Sequence, residues 1–259
     1  MSTNAGLDNR FKLLLGLAAL AVAGVFLLVP AIPQDLAYHQ FADRNAHFGV
    51  PNFWNVATNL PFLLVGLAGI RELYRGTPAI LPEFRAGYLW FFAGVALVGP
   101  GSAYYHWAPD NSTLVWDRLP MTVAFVALFA VIIAEYIAVT AGRALLWPLL
   151  AIGIFSVFYW HLTEVRGRGD LRLYGLVQFL PLVLIPSIML MFRSRFGGTA
   201  YLWTLTGAYA LAKAAESLDE PIYRLFQPWL SGHGLKHLLA AAGAYCFLLA
   251  IRRRKEATP

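Results

Sequence analysis

Three histidines in two distant segments of the chain have the spacing of metal ligands. His106 ends the segment Ser102–His106, and His233 and His237 are four residues apart far downstream. Residues four apart lie one turn apart on the same face of an α-helix, so such a pair can approach a single ion. Three imidazoles with an open fourth position are the arrangement of a catalytic zinc. The sequence therefore predicts a zinc site made by His106, His233 and His237.

Two further polar residues, Asp117 and Ser102, are candidates for catalysis. Asp117 can be interpreted as the carboxylate that bonds the attacking water and takes its proton. The alternative is an interfacial partner of Arg118 or a clamp on a ligand histidine. Ser102, one turn before His106, can donate a hydrogen bond to the oxyanion of an amide or ester, or bond a backbone carbonyl near the kink expected at Pro100. A nucleophilic serine is not expected, because no free imidazole would remain to activate it.

Composition places these residues in a helical membrane protein. The 259 residues are 59% hydrophobic and 13% charged, whereas soluble domains carry about 25% charged residues. The apolar runs are continuous rather than alternating, which favours helices over a barrel. The net charge of +6 fits basic loops, and no long basic patch precedes the cluster Arg252–Lys255, so we expect no nucleic-acid partner. Cys246 is the single cysteine, so the chain has no intramolecular disulfide.

Eight apolar runs predict transmembrane helices. The first, Phe11–Pro30, resembles a signal peptide but is long for one and has no clear cleavage site, so we expect an uncleaved helix. The other seven runs are Phe53–Ile70, Gly87–His106, Leu114–Val139, Ala144–His161, Tyr174–Phe192, Thr199–Ala215 and Leu235–Ile251. The predicted fold is an all-α integral membrane protein. Residues 1–30 form a tail and an extra N-terminal helix, and residues 31–259 form a seven-helix bundle.

The distribution of lysine and arginine predicts the orientation. With both termini cytoplasmic, the inner side carries more basic residues than the outer side, although the outer loop Arg166–Arg172 is an exception. On this topology the helix ends that carry His106, Asp117, His233 and His237 all fall at the outer face. The sequence therefore predicts one polar site at that face of the membrane.

The remaining ionisable residues near helix ends are interpreted as structural or interfacial. Lys213, Glu216 and Glu220 have helical spacing and can pair on one face. The other residues given this interpretation are His39, His47, Glu135, His161, Glu164 and Asp219.

The pattern Ser102-x3-His106, Asp117 and His233-x3-His237 resembles the signature of the alkaline ceramidase family. That family belongs to a superfamily of seven-helix membrane hydrolases that includes adiponectin/progestin-type receptors and GPI-anchor-remodelling lipases. Three longer segments extend the resemblance and look like a bacterial-type member. They are Tyr104–Asn111, Trp116–Thr122 and, at the start of the first core helix, Asn52–Leu60.

The resemblance implies hydrolysis of the ceramide amide to a sphingoid base and a fatty acid. It implies that the three histidines hold zinc, that Asp117 orients or deprotonates water, and that Ser102 assists at the carbonyl. Two departures are visible. The helix at Phe11–Pro30 precedes the matched part, and the acidic segment by which eukaryotic members bind calcium retains only Asp43, with Asn52 before the first core helix. The first departure adds one helix to the seven-helix core. The second argues against calcium and leaves another long-chain amide or an ester as alternative substrates.

Two other classes of function stay open at the level of sequence. One is a receptor-like or structural zinc protein with little turnover. The other is a transporter that relays protons, although its polar groups would be expected near the membrane midplane and not at one face. The partners that we expect are a lipid substrate and the bilayer, and the sequence gives no indication of an oligomeric state.

Overall fold

The apolar segments fold as α-helices, because a helix satisfies its backbone hydrogen bonds within one segment. The computed structural model describes residues 2–257, with side chains from Asn9 onward, and no β-strand is assigned in that range. Residue 1 of the predicted segment 1–30 and residues 258 and 259 of the predicted segment 31–259 lie outside the described range. The helices are α1 (Ser2–Leu28), α2 (Phe53–Ala57), α3 (Leu60–Arg75), α4 (Arg85–Trp107), α5 (Asn111–Tyr136), α6 (Val139–Val165), α7 (Arg172–Met191), α8 (Thr199–Ser217), α9 (Asp219–Phe226) and α10 (Gly232–Arg253).

Seven helical segments are long and apolar enough to cross a membrane, so the prediction of an all-helical chain with many apolar spans is confirmed. They are Asn9–Leu28, Phe53–Arg75, Pro82–Trp107, Asn111–Tyr136, Val139–Val165, Arg172–Met191 and Gly232–Arg253. The remaining predicted span coincides with α8, which is helical for 19 residues but is not among the seven found in the described chain. Its last two turns contain the ion-paired Lys213 and Glu216, which lower its apolarity.

The second predicted span, Phe53–Ile70, is interrupted between α2 and α3. The side chain of Thr58 bonds the carbonyl of Trp54 at 2.7 Å, and the side chain of Asn59 bonds the carbonyl of Asn55 at 2.7 Å. Such bonds offer the backbone an alternative to the helical ladder. Hydropathy does not detect this break, because the residues on both sides of it are apolar.

Two other local features of the structure were not predicted from hydropathy. Helix α4 is assigned without interruption through Pro100, just before Ser102. Helix α9 is a short, polar segment between the seventh and eighth predicted spans. Its first residue, Asp219, accepts a hydrogen bond from a backbone N–H in the first turn of α10.

Helix α5 is the central element of the bundle, and nearly all of its residues from Thr113 onward are buried. Helices α4 and α6 pack along it, α3 packs on α4, and α10 packs against α3 and α8. Helix α7 contacts α5 and α6, and α1 lies on the outside against α7. The exposed leucines of α1, such as Leu20, Leu27 and Leu28, fit contact with lipid.

The helices surround a partly open cavity of about 1010 Å³. Its walls come from α1, α3, α4, α5, α7, α8 and α10 and from the segment between α1 and α2. Most of the lining is apolar, with side chains such as Phe62, Met121 and Phe179. The polar groups in its wall include Gln34, Ser102, Asp117, Arg118, Lys213, Glu216, Lys236 and His237.

The segment 29–42 forms part of the cavity wall, and hydrogen bonds hold it in place. The backbone N–H of Gln34 donates to the carboxylate of Glu164 at 2.9 Å, and that of Ala42 donates to Asp219 at 2.9 Å. Both carboxylates were interpreted from the sequence as structural, and these bonds are structural. The segment is therefore anchored on two different helices of the bundle.

A buried ion pair fastens the opposite end of the bundle. Glu135, interpreted from the sequence as interfacial, is 1% exposed and accepts two hydrogen bonds from Arg254 at 2.8 and 2.5 Å. The hydroxyl of Tyr88 donates to the same carboxylate at 2.6 Å. The fold thus buries Glu135 because its charge is matched by an arginine from the end of α10.

We expect Glu135→Gln to lower the free energy of unfolding by about 3–5 kcal/mol, because it leaves the Arg254 charge buried without a counter-charge. The measurement is reversible unfolding in mixed detergent. Glu72→Gln is the matched control, since it removes the partly exposed pair with Arg252 at 2.8 Å and should cost less than about 1 kcal/mol. Equal losses in the two variants would contradict the expectation.

Candidate metal and catalytic site

The three histidines predicted as metal ligands lie together at the polar side of the cavity. His106 comes from the end of α4, and His233 and His237 come from the first turns of α10. The Nε2 atoms of His106 and His233 are 3.2 Å apart, and the ring of His237 lies 5.0 and 4.9 Å from the other two rings. One nitrogen from each ring lies within 4.8 Å of the others. The fold therefore brings the two distant motifs into one buried cluster.

A hydrogen bond to Thr58 determines which nitrogen of His237 is available. Thr58 Oγ1 lies 2.7 Å from the carbonyl of Trp54 and 2.9 Å from Nδ1 of His237. The hydroxyl has one proton, and when it donates that proton to the carbonyl its lone pair accepts the N–H at Nδ1. Nε2 of His237 is then a lone-pair donor, and it is buried without a hydrogen-bond partner among the described residues.

This cluster has the properties of a metal site. Nitrogens bound to one tetrahedral zinc at about 2.0–2.1 Å would lie roughly 3.3 Å apart, close to the 3.2 Å between His106 and His233. Imidazole nitrogens suit zinc and other late first-row metals better than Mg²⁺ or Ca²⁺. An ion would also give the unpaired Nε2 of His237 the partner that the protein does not supply. The three buried histidines can thus hold a metal ion.

Removing the hydrogen bond from Thr58 should weaken this site without changing its shape. We expect Thr58→Val to lower zinc affinity about 10- to 100-fold, because a partner that fixes the tautomer and orientation of a ligand histidine is lost. The measurement is competition with a zinc-selective chelator. Thr122→Val is the matched control, since Thr122 is also buried but bonds the carbonyl of Leu119. An unchanged affinity in Thr58→Val would contradict the expectation.

Local sequence explains how α10 presents its histidines. The side chain of Ser231 caps the start of the helix, and the backbone N–H of His233 donates to Asp219 at 2.7 Å. Gly232 allows α10 to approach α8 closely, because a Cβ at this position would lie 2.2 Å from the carbonyl oxygen of Ala215. A larger residue there would push the first turn of α10 away from the cluster.

The candidate catalytic residues Ser102 and Asp117 face each other across the contact between α4 and α5. Both are buried, both line the cavity, and the serine is within hydrogen-bonding reach of the carboxylate. The contact depends on Gly101, where a Cβ would lie 2.2 Å from the carbonyl oxygen of Trp116. The structure thus brings these two residues to the same cavity that the ligand histidine His237 lines.

The start of α5 is fixed by a capping box. The carboxylate of Asp110 accepts from the backbone N–H groups of Thr113 and Ser112 at 2.7 Å each. The bond from the Thr113 amide, together with that from Ser112, lowers the pKa of Asp110 below its ordinary value. His39 from the segment 29–42 bonds Asn111 at 2.9 Å. The register of α5, and with it the position of Asp117, is therefore set one to two turns before the carboxylate.

Two residues that contact the histidines were not identified from the sequence. The ring of Phe41 lies 4.6 Å from the rings of both His106 and His233, and it shields the cluster on that side. The side chain of Asn52 donates to the carbonyl of His106 at 2.8 Å. Asn52 belongs to a segment that was noted for its resemblance, whereas no sequence signal singles out Phe41.

Lys236, which lies between the two histidines of α10, also reaches the cluster. Its Nζ is 2.9 Å from Nε2 of His233 and 2.9 Å from Glu216. Glu216 pairs with Lys213 as well and accepts a hydrogen bond from Tyr38 at 3.3 Å. Burial and the neighbouring Glu216 raise the pKa of Tyr38 well above its ordinary value, so the phenol keeps the proton that it donates.

The acid considered for calcium is used within the fold. Asp43 is fully buried, and its carboxylate accepts from the backbone N–H groups of Asn45 and Trp54 at 3.1 Å each. Its carbonyl accepts from the side chain of Asn55. These bonds join the segment before α2 to α2 itself, which accounts for Asp43 without a metal.

The other ionisable residues that were interpreted as structural either pair with neighbouring side chains or lie away from the histidine cluster. Glu220 pairs with Arg224 at 3.0 Å on the exposed surface of α9. His47 and His161 are outside the histidine cluster found among the described residues. None of these positions adds a ligand to the cluster.

Fold and site together define a class of protein: an apolar, all-helical chain with a buried three-histidine centre beside a large apolar cavity. The family model named Ceramidase matches residues 46–255, and the chain belongs to this family. The protein is accordingly a hydrolase with a lipid substrate. No curated protein shows significant similarity to the chain. The matched range excludes α1 and the whole segment 29–42.

Proposed function

We propose that the protein is a zinc-dependent intramembrane amidohydrolase that cleaves ceramide-like lipids to a sphingoid base and a fatty acid. One observation carries the proposal, namely that the three buried histidines, Ser102 and Asp117 adjoin the polar side of an apolar cavity. A polar reaction centre beside an apolar cavity suits a lipid whose amide joins a polar head to long chains.

The ligand histidines and the metal would have different roles. His106, His233 and His237 would hold Zn²⁺ as neutral imidazoles, with Thr58 keeping the proton of His237 on Nδ1. Bound zinc supplies a Lewis acid that activates water and polarises the amide at neutral pH. Burial by Phe41 and the segment 29–42 keeps bulk water away from the centre, which strengthens every charge interaction there.

Asp117 and Ser102 would act on protons and on developing charge. Asp117 takes a proton from the attacking water at its carboxylate and returns it to the amide nitrogen as the C–N bond breaks, so that the products are an amine and a carboxylic acid. Ser102 donates its hydroxyl hydrogen bond first to Asp117 and then to the oxyanion that forms at the carbonyl carbon. The contact between the two residues supports this division.

The cavity supports the assignment of a long-chain substrate. Its volume of about 1010 Å³ lies at the upper end of the range for ligand pockets, about 300–1,000 Å³. Apolar side chains from seven helices line it, including Val25 of α1 and Phe179 of α7. These walls give the acyl chain an apolar environment while the amide stays near the histidines.

The proposed topology has eight transmembrane helices, namely the seven apolar segments described above and α8. Both termini lie in the cytoplasm, and the site lies towards the outer face. It is supported by the basic residues at the end of the bundle opposite the site, such as Arg75, Arg143 and Arg253. Residues 1–30 would comprise the N-terminal tail and the extra helix, and residues 31–259 the ceramidase-like seven-helix bundle. The corresponding location is the inner membrane of a bacterium, with the site on the periplasmic side.

The test is hydrolysis of ceramide by the purified protein in detergent micelles, followed by mass spectrometry of the products, with metal content measured on the same sample. We expect one zinc per chain and release of sphingoid base and fatty acid. Chelation should remove the zinc and the activity, and adding zinc should restore them. An ester lipid and an acyl ethanolamine of the same chain length serve as comparison substrates. A protein that contains zinc but turns over none of these lipids would contradict the proposal and favour a receptor-like role.

A further inference from the structure

The polar side of the cavity carries more positive than negative charge. Three cations, Arg118, Lys213 and Lys236, and two carboxylates, Asp117 and Glu216, line this side. The wall also includes Arg172, whose charge is matched by Asp170 at 2.8 Å, and Asp35, which is exposed, so neither belongs to the buried balance. The protein groups therefore leave one net positive charge around the place where the polar head of a lipid must lie.

The carboxylate of Glu216 is already fully used. It accepts from Lys236 at 2.9 Å, from Tyr38 at 3.3 Å and from Lys213. One carboxylate thus serves two ammonium groups. The other contact of Lys236, at 2.9 Å from Nε2 of His233, is one that a metal on that nitrogen would displace, and the ammonium would then face the cavity that it lines.

Arg118 is buried without a carboxylate partner. It is 6% exposed, it lies 4.1 and 4.6 Å from the ring centroids of Trp160 and Tyr174, and it donates to the neutral side chain of Gln34 at 2.6 Å. No described carboxylate lies within salt-bridge distance of it, and its Nη1 has no hydrogen-bond partner among the described residues. The aromatic rings, among them Tyr38 at 5.8 Å, offset part of the cost of this buried charge, but they do not neutralise it, so the site can accept an anion.

From this geometry we infer that the head of the lipid substrate carries an anionic group, a carboxylate or a phosphate, which Lys236 and Arg118 bind beside the scissile amide. The inference rests on the proposed function and names its substrate class. Two cations from different helices, α5 and α10, would fix the head, while the acyl chain occupies the apolar part of the cavity. Recognition of an anion by charge-assisted hydrogen bonds is the strongest polar contact that these side chains can offer.

The test compares two pairs of lipids that differ in head charge. N-oleoylglycine is set against N-oleoylethanolamine for a carboxylate, and ceramide 1-phosphate against ceramide for a phosphate. Each lipid displaces a bound fluorescent N-acylethanolamine from the zinc-loaded protein, and hydrolysis is followed in the same samples by mass spectrometry. We expect the anionic member of at least one pair to bind about tenfold more tightly, or better. The pair that shows the preference identifies the anion.

Lys236→Met and Arg118→Met should each reduce that preference about tenfold with zinc content unchanged. Lys236→Arg should keep it, and Lys255→Met removes a charge outside the cavity as the matched control. Arg118 lies apart from the histidines, so its variant decides the outcome if Lys236→Met loses metal. Equal binding of anionic and neutral lipids, or equal weakening of both in the variants, would overturn the inference. If the protein prefers anionic lipids but hydrolyses none of them, the inference stands and the proposed reaction is wrong. If it hydrolyses the lipids without preferring the anionic ones, the reaction stands and the inference is wrong.

Discussion

His237→Ala is expected to lose zinc and hydrolytic activity together. The variant removes the Nε2 that is buried without a partner in the described chain, so two imidazoles remain where three are needed to hold the ion in an open site. We expect turnover of ceramide to fall by at least about a thousandfold, which corresponds to the several kcal/mol that a metal contributes to the transition state. The measurements are zinc content by mass spectrometry and the rate of fatty acid release.

His161→Ala is the matched control for this variant. His161 lies near the end of α6 and outside the histidine cluster, so its loss should leave zinc content and turnover unchanged. A His237→Ala protein that keeps the parent rate would refute the metal mechanism. A protein that loses zinc but keeps its rate would separate the metal from the chemistry and assign the histidines a structural role.

Asp117→Asn should lose activity and keep its metal. The amide has nearly the shape of the carboxylate and can still bond Ser102, but it cannot accept a proton at neutral pH. General-base catalysis contributes about 10²- to 10⁴-fold, and we expect kcat to fall within that range with KM little changed. The measurements are steady-state kinetics, zinc content and the midpoint of thermal unfolding of the same preparation.

Asp110→Asn is the matched control, because asparagine also caps helices well and Asp110 lies at the start of the same helix. It should change none of the three quantities by much. If Asp117→Asn instead lowers the unfolding midpoint or the zinc content while kcat per bound zinc stays constant, Asp117 is a structural residue. That outcome would support the alternative interpretation of Asp117 as a clamp on the site or a partner of Arg118.

The helical architecture was predictable because a membrane imposes one constraint on every spanning segment. Continuous apolar runs located the long helices to within a few residues at most ends, since backbone groups in lipid must bond within the segment. The same reasoning failed at Thr58, where side chain bonds to backbone interrupt an apolar run. It also counted α8 with the seven more apolar segments, although Lys213 and Glu216 lower the apolarity of this helix.

The residues proposed to bind metal could be predicted from the sequence, but the residues that contact and position them could not. His233 and His237 have helical spacing, which is local information, and counting membrane crossings placed them at the same face as His106. Thr58, Phe41 and the pair of Lys236 with Glu216 could not be assigned in this way. Each acts through a contact with a residue that is far away in the chain, and hydropathy contains no information on such contacts.

The sequence by itself determined an all-helical apolar chain with three histidines, a serine and an aspartate at helix ends, because periodicity and hydropathy are properties of neighbouring residues. Only the tertiary structure decided that the imidazoles share one buried centre, which nitrogen of His237 is free, and that α1 and the segment 29–42 complete the cavity. Those features depend on the close packing of α4 on α5 and of α10 on α8, where Gly101 and Gly232 leave no room for a side chain.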